Sequence, residues 1–137
     1  MERFDNQRNK GQILYTDFDM NFNPDPDTGD IKMLTNRECI RSSLFRIIAL
    51  NKMDIPFNTS AYTQLKELLF EIPSHTIEAS ISTNLAWIIG ELEPRVRVDD
   101  ITVTYDEFEN KYNVDLTYTI LREQTQDTLK KPLERVR

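Results

Sequence analysis

Ile77, Ile81, Leu85, Ile88, Ile89 and Leu92 recur at helical spacing and draw one apolar stripe along a predicted helix. Ser74 stands just before it, with a hydroxyl suited to accept an orphan amide of the first turn. Glu93-Pro94-Arg95 stops it, because Pro94 has no amide hydrogen and biases Glu93 toward extended geometry. After that corner the period changes from helical to alternating. Ile101, Val103 and Tyr105 alternate with Thr102 and Thr104. Tyr112, Val114, Leu116, Tyr118 and Ile120 alternate with Asn113, Asp115, Thr117 and Thr119. Glu109-Asn110-Lys111 reads as a short polar turn, so the two segments form an antiparallel hairpin.

Upstream, Phe18, Met20 and Phe22 alternate along an extended segment from Ile13 to Asn23. A strong turn signal, Pro24 to Gly29, returns the chain into Ile31–Leu34. Thr35 and Glu38 form a capping box for a helix with Ile40, Leu44, Ile47 and Ile48 inward, ending near Asn51-Lys52. A loop around Ile55-Pro56-Phe57 leads to a shorter helix, capped by Thr59 or Ser60, with Leu65, Leu68 and Leu69 inward. From Glu123 the pattern dissolves into a polar tail anchored only by Leu129, Leu133 and Val136. The expected organisation is a flexible segment over 1–12, a single α+β domain over 13–122 and a polar tail over 123–137. About three helices would pack on a small antiparallel sheet. An outer strand of such a sheet either needs protection or accepts a strand from elsewhere.

With 137 residues the chain reads as one domain with a core of its own. Lys and Arg number 17 against 23 Asp and Glu, a net charge of −6, which argues against a dedicated nucleic-acid binder. The charge is uneven. Residues 15–31 hold Asp17, Asp19, Asp25, Asp27 and Asp30 with no Lys or Arg, whereas the chain ends on Lys130, Lys131, Arg135 and Arg137 against Glu134. Cys39 is the only cysteine, so there is no internal disulfide. No apolar run approaches the roughly 18–20 residues that span a bilayer. The first residues lack a secretory h-region, so the product is expected in the cytoplasm or in something assembled there.

The chemistry-bearing residues do not converge. EF-hand registers begun at Asp17 or Asp25 put the wrong residues at positions six and twelve. His75 is the only histidine and Cys39 the only cysteine, so neither a triad nor a zinc spacing is available. Three widely separated glycines make no phosphate loop. A glycosidase needs two carboxylates, and Glu93 is the best single candidate. Its neighbour Arg95 favours the charged form, the wrong direction for a general acid. No catalytic, cofactor or metal residues are assigned. Trp87 lies on the long helix off the main stripe, as a second packing contact or an interface anchor.

In order, Leu14-Tyr15-Thr16-Asp17-Phe18-Asp19, then Arg41, Ser42, Leu44 and Ile47-Ile48, then Pro56-Phe57 with Leu65, Leu69, Phe70 and Glu71, then Glu93-Pro94-Arg95 resemble the small baseplate wedge protein of contractile phage tails. That family is sometimes labelled lysozyme-like. The chain departs from it at Asp54-Ile55 and Ala61-Tyr62. The resemblance implies a fold like part of the tail sheath protein and a non-enzymatic structural role as sheath initiator in the virion. Implied partners are other baseplate wedge proteins, the sheath protein, and tail tube or hub proteins, with multiple copies in the ring and no nucleic acid or membrane. Interaction residues would be Glu93, Pro94 and Arg95 at the corner, Trp87 on the helix, and Tyr112, Val114, Leu116 and Tyr118 on the hairpin, where a sheath strand would add. The alternatives are a peptidoglycan-cleaving enzyme and a type VI secretion baseplate subunit.

Overall fold

The computed structural model describes residues 12–49 and 65–135. They fall into two compact units, Met1–Ser43 and Leu44–Arg137, where the sequence reads as one domain over 13–122. The architecture is α+β, with two long helices and two small antiparallel sheets among the described residues. The expected segment 1–11, the Pro56-Phe57 loop, the cap at Thr59 or Ser60 and the Val136 anchor lie outside the described residues.

In the first unit, β1 (Thr16–Phe18) pairs antiparallel with β2 (Met33–Thr35), Phe18 opposite Met33. The expected strand to Asn23 stops early. The chain turns at Asp19, with the Phe22 amide on the Asp19 carbonyl at 2.9 Å, and rejoins β2's side through Lys32 N–H to Asn23 O at 2.9 Å. Asn36, at φ 45°, opens α1 (Asn36–Ala49) directly from β2, so Thr35 is a strand residue rather than an isolated cap. The Asn36 side-chain oxygen accepts the amides of Leu14 and Tyr15 at 2.7 and 3.2 Å. The boundary of the two units falls within α1: Cys39 and Ile40 are buried on its first half, which belongs to this unit, and Leu44, Ile47 and Ile48 on its second half, which belongs to the other.

In the second unit, α2 is described over Leu65–Leu68, and the stretch in which the expected shorter helix would begin lies outside the described residues. α3 (His75–Leu92) is capped by Ser74, whose hydroxyl accepts the Ile77 amide at 3.3 Å. Ile81, Leu85, Ile88 and Ile89 form its buried stripe. It packs against β3 (Val96–Asp106), which pairs with β4 (Lys111–Ile120), which pairs in turn with β5 (Thr125–Glu134).

β5 corrects the expected polar tail. Two of its four inward positions are polar, which hides the alternation, and both have partners. Asp127 accepts the Tyr118 hydroxyl at 3.0 Å. Lys131 Nζ donates to the Phe45 carbonyl at 3.2 Å and lies 5.3 Å from that ring's centroid. Burial pushes the Lys131 ammonium pKa down. Only Leu129 and Leu133, both buried, carry the apolar signal.

Candidate interaction surfaces

The Glu93-Pro94-Arg95 corner joins α3 to β3. The Glu93 amide caps the helix on the Ile89 carbonyl at 2.9 Å, and the Arg95 carbonyl accepts the Leu121 amide at the end of β4 at 3.0 Å. Glu93 is 2% exposed, and both its oxygens are held by Arg95, Nε at 2.5 Å and Nη2 at 2.6 Å. The guanidinium therefore makes its bidentate contact inside the molecule. Pro94 is exposed at the tip and Arg95 is half-buried.

Trp87 is 54% exposed on the outer face of α3, beside a shallow groove lined by Thr76, Ala79, Ser80, Thr83 and Asn84. It is not a second packing contact of the core.

Tyr112, Val114, Leu116 and Tyr118 are all buried on one face of β4, and β4 is the central strand, with β3 on one side and β5 on the other. The expectation that this strand offers a free backbone rim is corrected: the rim is filled by β5 of the same chain. The Tyr112 hydroxyl is buried with no hydrogen-bond partner among the described residues. Its pKa is pushed up, chiefly by burial.

The outer edge of β3 is covered by helix side chains. Ser82 Oγ donates to the Ile101 carbonyl at 3.1 Å, and Glu78 Oε1 accepts the Tyr105 amide at 2.9 Å. That amide, followed by a contact from His75, holds the Glu78 carboxyl below its ordinary range. The Tyr105 amide points away from β4, so the pairing register puts the amides of the even-numbered β5 residues on the sheet's outer edge. Gln126, Lys130, Pro132 and Glu134 stand on that edge, and Pro132's missing N–H lies there, where it costs the ladder nothing. The Thr128 amide is engaged by Asp127 Oδ1 at 2.8 Å. Among the described residues no strand pairs with this edge. Sequence reasoning missed it, although Lys and Pro within a ten-residue, mostly polar stretch are an edge-strand signature.

A bulge between Val98 and Asp100 leaves Asp99 outside the β3–β4 register. Its carboxylate accepts Thr119 Oγ1 at 2.5 Å, Gln126 Nε2 at 3.3 Å and Arg97 Nε at 3.2 Å, tying three sites on β3, β4 and β5 together. The Thr119 hydroxyl is the main cause that holds Asp99 below its ordinary pKa. No group of His, Cys, Asp and Glu among the described residues is arranged to hold a metal ion.

No protein-family model and no curated protein matches the chain. Solved structures do. A crystal structure of a protein from Geobacter sulfurreducens, assigned as a tail lysozyme, superposes with a TM-score of 0.66 at 17% identity, over 72% of this chain and 89% of that one. A chain in the cryo-EM structure of the anti-feeding prophage (AFP) baseplate, 6-fold symmetrised, superposes with a TM-score of 0.65 at 18% identity, over 77% of this chain and 85% of that one. At these identities the likeness is one of fold.

Proposed function

We propose that this chain is a structural, non-enzymatic component of a contractile-tail baseplate, present in several copies among wedge proteins in the virion tail. The observation that carries the reading is the fold shared with a chain of the AFP baseplate over 77% of this chain. In the finer reading, which goes beyond fold, the chain initiates the sheath: an extended arm of a sheath subunit adds to the outer edge of β5, and tube or hub proteins are further neighbours. Strand addition gives directional hydrogen bonds and register without a deep pocket, which suits a template. The edge of β5 takes the place that β4 cannot.

The peptidoglycan-cleaving reading draws on the other structure's assignment. It needs a carboxyl held protonated at neutral pH. Asp19, Glu78 and Asp99 are instead all held below their ordinary range by hydrogen bonds, from the Asn21 amide, the Tyr105 amide and the Thr119 hydroxyl respectively. Glu93 is clamped by Arg95. A zymogram on cell-wall substrate tests this reading: clearing lost on substitution of a single acid would favour the enzyme. A type VI secretion baseplate would use the same mechanics.

The test of strand addition is Lys130→Pro. The Lys130 amide faces the outer edge, so the substitution spares the β4–β5 ladder and removes one donor an added strand would use. Tails carrying it should show short or absent sheaths, with the chain still folded. Normal sheaths, or a tail reconstruction with no foreign strand along β5, would remove the template role while leaving baseplate membership to be read from the same map.

A further inference from the structure

The first unit carries a second surface, independent of the sheet edge. Asp19 is 8% exposed and organises a short excursion from the β1–β2 hairpin. Its Oδ1 accepts the Asn21 amide at 3.0 Å and its Oδ2 accepts Asn23 Nδ2 at 2.7 Å. The excursion turns Met20 and Phe22 outward, 49% and 63% exposed. Phe22 has φ 53°, a left-handed conformation that a bulky L side chain disfavours. Phe18 and Met33 sit opposite each other across the two strands, each 51% exposed, and Ile31 is 40% exposed. Apolar side chains shown to water by a strained turn suit a surface that another molecule covers.

The charge of this segment says what kind of molecule. Residues 15–31 hold Asp17, Asp19, Asp25, Asp27 and Asp30 with no Lys or Arg. Phosphate-bearing surfaces of membranes or nucleic acids are repelled by such a segment, and a surface rich in Lys and Arg is attracted. We infer that the β1–β2 hairpin docks a basic partner protein, whose apolar cleft, bordered by Lys and Arg, receives Phe18, Met20, Phe22 and Met33. The inference does not depend on which assembly the chain joins or on whether β5 accepts a strand.

Site-specific photo-crosslinking tests it. The probe is benzoylphenylalanine at position 20 of the full chain, expressed in its native assembly, with the same probe at position 108, fully exposed in the β3–β4 turn, as a control. The expected adduct is with a different protein, through a peptide that carries Lys or Arg beside apolar residues, and it is absent from the control. Two variants are read in parallel. Phe22→Gly should keep or raise the thermal midpoint of the purified chain, because glycine relieves the positive φ, while the adduct yield falls by about tenfold. Asp27→Lys, at an exposed position of the turn, should lower the yield in a fold left intact. Adducts between copies of this chain, adducts with lipid or nucleic acid, or no adduct would overturn the inference. So would a yield indifferent to both variants, or a midpoint lowered by Phe22→Gly, which would make Phe22 a residue of the fold.

Discussion

Replacing Arg95 with Ala tests whether the Glu93-Pro94-Arg95 corner is a folding element before it is anything else. The substitution removes two charge-assisted bonds, at 2.5 and 2.6 Å, to a carboxylate that is 2% exposed. Bonds to charged groups contribute about 1.5–3 kcal/mol each, and breaking a buried ion pair from one side costs about 3–5 kcal/mol. The Arg95 side chain is 30% exposed, so water can re-enter where the guanidinium stood. That places the loss at the lower end, about 3 kcal/mol. With a urea m-value of about 1.5 kcal/mol/M for a chain of this size, the midpoint of unfolding falls by about 2 M. The assay is equilibrium urea unfolding followed by circular dichroism, with Glu93→Gln and the double variant completing a cycle. The double variant should be less destabilised than Arg95→Ala, because the buried charge has gone with its partner. A loss under about 1 kcal/mol for Arg95→Ala, with no recovery in the double variant, would refute the reasoning and return Arg95 to the surface as an intermolecular contact.

Asp99→Asn should flatten the acid limb of the stability curve. The folded pKa of Asp99 lies below its ordinary 3.8, so the unfolded chain binds the proton first as pH falls. Its stabilisation is full above that ordinary value and lost on descending through the folded one; an acid limb unchanged by the variant, in a pH series of urea melts, would contradict this. Tyr112→Phe removes a buried hydroxyl that has no partner among the described residues, so the thermal midpoint should hold or rise. A loss of more than about 1 kcal/mol would mean that the hydroxyl is bonded after all. Ser74→Ala should cost about 0.5–1 kcal/mol in urea unfolding, at the modest end because the capping bond is 3.3 Å long and exposed.

α3 is legible because everything that makes it is local: Ser74 caps, the apolar stripe repeats each turn, and Pro94 ends it. The β3–β4 hairpin is legible for the same reason, its alternation running through Leu116 and Val103 to a short polar turn. β5 is not, because Asp127 and Lys131 take inward positions with the help of Tyr118 and of Phe45, which is 86 residues away from Lys131. Missing β5 is what made Tyr112, Val114, Leu116 and Tyr118 read as an open rim. Met20 and Phe22 misled in the opposite direction: their spacing imitates a strand, but the Asp19 side chain closes a turn that no apolar pattern encodes. At the corner, the sequence identifies Glu93 and Arg95 as neighbours, and only the fold makes them each other's partners.

The two outer edges of the three-stranded sheet are managed differently, and the difference bears on any strand that joins it. β3 is closed by a helix: Ser82 and Glu78, one turn apart, engage Ile101 and Tyr105, so an incoming strand there would have to displace α3. Among the described residues, β5 is guarded by composition alone. Pro132 removes one outward donor, the Thr128 amide is already taken by Asp127, and Lys130 sets a positive charge between them. Such an edge resists pairing with a generic flat strand, including another β5, whose lysines would repel it. A strand that supplies acceptors opposite Gln126, Lys130 and Glu134 but not opposite Thr128 and Pro132, and carboxylates to meet the Lys130 ammonium, would lose least. In the proposed reading, the edge thus selects register as well as partner, and an arm shifted by two residues would face the prolyl nitrogen and bind more weakly.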